Sequence, residues 1–379
     1  MADRRGTRWE ITPHTRAKHL ILQRYLEAWL PILASQHGRI IYVDGFAGPG
    51  RYTGGEPGSP LIALATLLDH PRFQGTTHGR HVTCLFIERE ADRAEALREE
   101  LARFRELRPI PGWVAVNVVH GEFAPTMTAV LDDLEQAGRR LAPTFCFIDP
   151  FGPAGVPLAL IQRIAKNPRC ECLINFAYDA VWRFKEHPNP EILAHPDALF
   201  GTEEWQRALT LPDPEQQREF IINLYRQQLQ HVAGFDHVRT FEMINEGNRT
   251  AYFLYFGTHD RKGLSAMKIA MWSADLVGGQ AFSDRTLGGD QTVLFEPSPD
   301  LAALKAALQR QFRGDHLVSI EDVEDFVLFE TPYSEVKHLK ERTLAPMERA
   351  KPPEIRAYGG GTKPRRTYTY PAGTKIRFL

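Results

Sequence analysis

Four apolar runs in the first 150 residues each close on a carboxylate. Asp44 ends the run in "IIYVDGFAGPGRY" (residues 40–52), Glu88 the one in "LFIERE", Glu122 follows in "HGEF", and Asp149 stands in "FCFIDPFG". After Asp44 the chain passes Gly45, Gly48 and Gly50 within six positions. A carboxylate at a strand end can hold a positive charge or accept hydrogen bonds from hydroxyl and amino groups. Glycines beside it let the backbone come close to a ligand. The plainer alternative is a tight turn capped by Asp44, with each glutamate a solvated loop residue. Four acids in succession weigh against it.

The ligand class follows from what the glycine turn lacks. A dinucleotide fingerprint would need a glycine at position 53, where the chain has Thr53, and no Gly-Lys-Ser/Thr follows for a phosphate loop. An acid four positions before a G-x-G is instead the pattern of S-adenosylmethionine (SAM) methyltransferases. SAM has no phosphates, and it carries a sulfonium and an ammonium that suit a carboxylate. Asp44, Phe46, Gly48 and Gly50 are therefore the expected cofactor turn. Glu88 is placed to hold the ribose diol, with Glu90 a less well placed alternative. Glu122 could receive adenine's amino group beside Phe123. Asp149-Pro150-Phe151-Gly152 resembles the Asp/Asn-Pro-Pro-aromatic motif of enzymes that methylate exocyclic or amide nitrogens. Phe151 replaces the second proline and Gly152 the aromatic. Asp149, Pro150 and Phe151 are the expected catalytic positions, against a proline-terminated strand capping a turn.

These residues need a parallel sheet behind them. Helical spacing over 14–34 puts Leu22, Leu26, Trp29, Leu30 and Leu33 on one face. Strand-like runs then begin at 39, 81, 113, 144 and 170, separated by helical patterns at 59–69, 91–104, 126–141 and 157–167. Ser59 reads as the N-cap of the first of these and Pro60 as its first turn. The strands are continuously apolar, as expected where both faces are covered by helices. The fold class is thus α/β: a doubly wound, mostly parallel Rossmann-like methyltransferase sheet. Residues at about 182–235 have helical periodicity without a strand candidate and form a helical insertion. Two strands around a turn at Asn245–Asn248 form an antiparallel hairpin expected to close the sheet edge. A further helix follows in "GLSAMKIAMWSADL". Thr258, His259 and Lys268 lie here, and His259 is given no role.

The 379 residues fit a main domain over 1–298 and a smaller one over 299–379, joined at "FEPSPD". Hydrophobic content of 43% and charged content of 25% are ordinary for a globular chain. No apolar run is long enough to span a bilayer. The N-terminal stretch is basic without an apolar signal core, so the cytoplasm is the expected compartment. Cys84, Cys146, Cys170 and Cys172 sit in strand-like runs and read as buried thiols, with no metal site expected. Net charge is −1, yet residues 331–379 carry 11 Lys/Arg against 4 Asp/Glu. Helical patterns at 301–313, 319–329 and 333–347 precede two strand-like pieces, the order of a winged helix. Lys337, Lys340, Arg342, Arg365 and Arg366 are the candidate nucleic-acid contacts, with protein docking the alternative.

"YVDGFAGPGRY…GEPGSPLIAL", "FIDPFG", "FGTHDRKGLSAMKIAMW" and "TYTYPAGTKIRFL" together resemble the three-Cys-motif partner protein (TcmP) family, over nearly the whole chain. The resemblance implies a class I methyltransferase fold. It also implies a neighbouring partner protein carrying three cysteines and similar to radical SAM, iron–sulfur enzymes. Asp44, Gly48, Gly50, Glu88 and Asp149 match the family's methyltransferase positions, and Glu122 matches more loosely. Two functions are carried forward: a SAM-dependent methyltransferase acting on nucleic acid, and a non-catalytic accessory protein that delivers the partner to nucleic acid.

Overall fold

The computed structural model describes residues 6–73, 80–150, 155–178, 190–245, 249–276, 278–283, 299–359 and 365–379. It resolves into two compact units, residues 1–264 with 282–289, and 265–281 with 290–379. Helix Arg261–Ala274, which the sequence reading places in the first domain, runs through both sets. No described helix is long and apolar enough to cross a membrane.

The first unit is built on helix α1 (Pro13–Gln36) and alternating strands and helices: β1 (Arg39–Asp44), α2 (Ser59–Asp69), β2 (His81–Glu88), α3 (Ala91–Leu107), β3 (Val114–His120), α4 (Phe123–Gln136), β4 (Thr144–Ile148), α5 (Leu158–Ala165) and β5 (Cys170–Phe176). Strands β6 (His237–Ile244), β7 (Thr250–Thr258) and β8 (Ala281–Ser283) complete a sheet of order β3-β2-β1-β4-β5-β7-β6-β8. The first five are parallel, and β7 runs antiparallel to both β5 and β6. This is the doubly wound, mostly parallel Rossmann-like sheet expected from the apolar strands.

The strand order reverses between β1 and β4, so a crevice opens beyond their C-terminal ends, where ligands bind in open α/β sheets. Register pairs Asp44 with Phe147 on one side and Phe86 on the other. Every residue of β4 is buried, whereas edge strand β3 is half exposed. The hairpin does not close the sheet, because β8 lies outside β6. Its three residues are too short to read as a strand in the sequence.

The described part of the 182–235 segment is helical. Helices Pro190–Phe200 and Pro214–Gln227 flank a 3-10 turn at Glu204–Thr210, and a π turn follows at Gln228–Val232. Phe200, Trp205, Leu224 and Tyr225 join α5 in one core cluster.

In the second unit, helices Leu301–Phe312 and Ile320–Glu330 are followed by a π segment Glu335–Leu344 and a short helix Ala345–Arg349. A three-stranded antiparallel sheet of order β10-β11-β9 joins β9 (Val318–Ser319), β10 (Ile355–Tyr358) and β11 (Lys375–Phe378). Ser319 and Asp322 form a capping box that starts helix Ile320–Glu330. The Lys268 ammonium, almost fully buried, donates to the carbonyls of Val327, Leu328 and Thr331 at 2.8, 2.9 and 2.9 Å, which ties off that helix's last turn.

Candidate functional site

Strand β1 delivers Asp44 to the switch point with no exposed surface. Its carboxylate accepts from Phe46 N at 3.3 Å, from the Tyr42 hydroxyl at 3.5 Å, and from Ser59. Ser59 is therefore not the helix cap: α2 is capped by Gly58, and the Ser59 hydroxyl turns to the acid. Burial pushes the Asp44 carboxyl up to about 7, and the nearby charges of Asp149 and Glu88 add to that, against the hydrogen bonds.

The glycine turn is laced to the neighbouring strand ends. Gly45 N donates to Phe147 O and Ala47 N to Ile87 O, each at 2.9 Å. Gly48, at φ +64°, donates its N–H to Glu88 Oε2 at 2.8 Å, and Glu90 N donates to Glu88 Oε1 at 2.9 Å. Glu88 thus splints the turn to β2, and each of its oxygens keeps lone-pair capacity for a further donor. A Cβ at Gly45 would lie 2.5 Å from the Phe123 ring, so glycine is needed for that contact. The Phe46 and Phe123 rings, 5.9 Å apart, line a cleft of about 140 Å³ with Glu88, Glu90, Glu122 and Pro150. Glu122 sits at the N-cap of α4, its side chain exposed and not capping. Glu90 pairs with Arg89 at 2.8 Å.

The long loop after Gly50 is a small hairpin. Arg51 bridges Pro57, and Gly58 N donates to Gly50 O at 2.7 Å. The Arg51 guanidinium turns to α3, donating to Glu100 Oε2 at 2.9 Å and to Gly55 O at 2.8 Å. Trp9 lies against this loop: Thr53 N donates to its carbonyl at 3.0 Å, and its ring meets Tyr52 edge-on at 5.9 Å. Nothing in the local sequence marks Trp9.

Asp149 follows β4 and is held by residues from far away in the chain. Lys18 of α1 donates to its Oδ2 at 2.5 Å, and Asn175 of β5 donates to Oδ1 at 2.6 Å. Burial alone would raise the Asp149 carboxyl, but the Lys18 charge and these two hydrogen bonds outweigh it, so the group is held below the usual carboxylate range. His19 is buried beside it, and burial together with Lys18 depresses its imidazole to about 3. A second, smaller recess is lined by Trp9, His19, Tyr52, Ser59 and Asp149 on the other side of the glycine turn. Lys18, His19 and Asn175 escaped sequence reasoning. Pro150 lines the larger cleft, and Phe151 lies outside the described residues.

The donor set suits SAM. It is carboxylates, aromatic walls and a glycine turn; Arg51 of that turn is drawn away to Glu100, while Arg89, paired with Glu90, and Arg93, over the Trp9 ring, also line the larger cleft. Against this geometry stand the comparisons with known proteins. No protein-family model matches the chain, and no curated protein matches it. Among solved structures, a Porphyromonas gingivalis protein classed with methyltransferases aligns at 12% identity and TM-score 0.26, over 58% of this chain. The chain spans 37% of that protein's length. Precorrin-6y C5,15-methyltransferase from Geobacter metallireducens aligns at 14% identity and TM-score 0.26, over 61% of this chain and 86% of its own. The human methyltransferase 10 domain containing protein aligns at 14% and 0.26, over 63% and 82%. The strand order, not these likenesses, defines the fold.

In the second unit the basic residues divide. Lys337, Arg342 and Arg366 are exposed, and Lys340 pairs with Glu324 at 2.7 Å. Arg365 is not a surface contact. Its guanidinium is buried, ion-paired with Glu348, and donates to the carbonyls of Thr369 at 2.8 Å and Ala357 at 3.1 Å. It braces the sheet's connection and has no reach to a phosphate. Exposed Arg356, Tyr358 and Lys375 lie on β10 and β11, with Arg356 opposite Arg377 in register. The strand alternation there, with Ile355, Ile376 and Phe378 buried, is the signal that would have found them.

His259 is structural, with its two ring nitrogens 3.0 Å from Asp236 Oδ2 and 2.9 Å from Ala165 O. All four cysteines are buried, free thiols.

Proposed function

We propose that the chain binds SAM in the cleft beyond β1, β2 and β4 and acts as a methyltransferase on nucleic acid. One observation carries the reading: Asp44, Glu88, Glu122 and Asp149 stand at the ends of four successive parallel strands, around a glycine turn faced by Phe46 and Phe123. Bound there, SAM would supply an electrophilic methyl group on a cationic sulfur. Asp44, Phe46, Gly48, Gly50 and Glu88 would hold it, with Glu122 at the open rim. Asp149 borders the smaller recess, where an acceptor would enter.

Two further elements belong to the proposal. The C-terminal unit, with 11 Lys/Arg against 4 Asp/Glu over residues 331–379 and its helix–strand–helix–helix–strand–strand order, supports a winged-helix module that contacts nucleic acid through Lys337, Arg342 and Arg366. The resemblance to the TcmP family supports a three-cysteine, iron–sulfur partner. That fits a chain whose own cysteines are buried in or beside strands of the first unit.

Isothermal titration with SAM tests the cofactor claim. Saturable binding that Asp44→Ala abolishes supports it, and no binding with or without the partner overturns it. One observation favours the accessory reading instead. The acid-facing recess is narrow, and Asp149 is already engaged by Lys18 and Asn175. Transfer of label from SAM to DNA, RNA or the partner would exclude that alternative.

A further inference from the structure

Lys18 lies on the buried stripe of α1, an unusual place for a lysine. Its ammonium is 2.5 Å from Asp149 Oδ2 and 5.1 Å from the Tyr252 ring centroid. It is therefore one hydrogen bond behind the wall of the recess that Asp149 lines. On the other side of the acid, Asn175 gives its amide to Oδ1, and its own buried Oδ1 has no partner among the described residues.

This arrangement discriminates between classes of methyl acceptor. A neutral amine attacks with a lone pair that needs no base to expose it. A hydroxyl oxygen has two lone pairs. Its attack requires that its one proton be taken up, and the ionised Asp149 carboxylate in the recess wall is there to take it. Resting on the methyltransferase reading above, we propose that the acceptor is an oxygen nucleophile, with Asp149 acting on its hydroxyl and Lys18 positioning Asp149. On the nucleic-acid reading, the hydroxyl present along a strand is the ribose 2′-OH, so the substrate class is RNA.

In the step itself the acceptor oxygen bonds to the methyl carbon as the carbon–sulfur bond breaks, and that electron pair stays on the now neutral sulfur. The hydroxyl proton passes to the Asp149 carboxylate. Lys18, behind the acid, holds Asp149 ionised. Among the described residues, the titratable or charged groups around Asp149 are Lys18 and His19 from α1 and Asp44 from β1, with Tyr252 of β7 against the Lys18 ammonium.

The test uses the full chain, methyl-labelled SAM, an RNA oligonucleotide and a DNA oligonucleotide of the same sequence, with the products digested to nucleosides for mass analysis. The expected result is label in RNA alone, recovered as 2′-O-methylnucleoside. Label on a base nitrogen, label in DNA, or no transfer to RNA by protein that binds SAM would each overturn the inference. Failure of the protein to bind SAM by titration would instead remove the reading beneath it. Lys18→Met should lose transfer by about 100-fold while SAM affinity stays within about threefold. The acid limb of its pH–rate profile should also move to higher pH, a change that a purely structural lysine would not produce. Transfer and acid limb both unchanged in Lys18→Met would refute the assignment. Should that variant misfold, Lys18→Met/Asp149→Asn removes both charges together, and it should fold, bind SAM and transfer nothing. Transfer by a folded double variant refutes the assignment equally.

Discussion

If Asp44 holds SAM as proposed, its carboxyl, lifted to about 7 by burial, makes that binding pH-dependent in a calculable way. In the free protein about one-tenth of it is ionised at pH 6 and about nine-tenths at pH 8. If a cationic ligand requires the carboxylate, its affinity at pH 6 is about tenfold weaker than at pH 8, or about 1.4 kcal/mol. Binding at pH 6 then releases close to one proton, about 0.9, and above pH 8 the release vanishes. Titration of SAM in two buffers of different ionisation enthalpy measures both the affinity and the proton count. Asp44→Asn should bind weakly, without the pH slope.

Stability of the free protein moves the opposite way, and this separates Asp44 from a general effect. The unfolded carboxyl ionises from about pH 4 upward, while the folded one keeps its proton to about 7. Across that window the folded state binds more protons, so stability falls as pH rises and levels off above it. Three pKa units correspond to about 4 kcal/mol, an upper figure for what the Asp44→Asn substitution would restore at pH 8. Glu171, also buried and lifted to about 7, adds to the same trend, so Asp44→Asn flattens it only in part. A SAM affinity unchanged between pH 6 and 8, or the same slope in Asp44→Asn, would refute the assignment of a buried, largely protonated Asp44 to the cofactor.

Three further outcomes are expected. Removing one partner of the buried Lys18–Asp149 pair should cost about 3 kcal/mol in Lys18→Met, with much of the loss recovered in Lys18→Met/Asp149→Asn. Chemical denaturation of the four-member cycle checks this, and a coupling energy below about 0.5 kcal/mol counts against the pair. Gly45→Ala forces a methyl onto the Phe123 ring; it should destabilise the first unit by about 1–3 kcal/mol and weaken SAM binding, with Phe123→Leu relieving part of the loss by thermal melt. In the second unit, Arg365→Ala should lower thermal stability without changing the salt slope of RNA binding. Lys337→Ala, Arg342→Ala and Arg366→Ala should each reduce that slope by about 1 and leave stability alone.

The sheet was legible because its information is local. Continuous apolar runs ending at Asp44, Glu88 and Asp149 mark buried parallel strands, and β1 spans Arg39–Asp44 as the pattern predicts. The misplaced details are those decided by tertiary contact. Ser59 looks like a cap but serves Asp44, and Arg365 looks like a phosphate ligand but is drawn inward by Glu348. In both cases the residue type is right for the local role, and a partner from another element claims it.

Lys18 is the instructive omission, because a trace of it is present in the sequence. On α1, Lys18 precedes Leu22, Leu26 and Trp29 at intervals of four, four and three, so it belongs to the stripe that reads as core. A lysine there must find a counter-charge inside the protein, since an uncompensated buried ammonium is too costly to keep. The sheet offers α1 two buried acids, Glu171 within β5, which accepts from Tyr25, and Asp149 beyond β4, which Lys18 meets 131 residues later. The stripe therefore shows that a buried carboxylate partner must exist. Which carboxylate it is follows only from the strand order, because the reversal between β1 and β4 brings residue 149 beside residue 44 and under the first helix. The functional weight of Asp149 thus depends on an N-terminal helix that precedes the whole strand–helix alternation. Deleting α1 should therefore unfold the site itself, and not merely trim its edge.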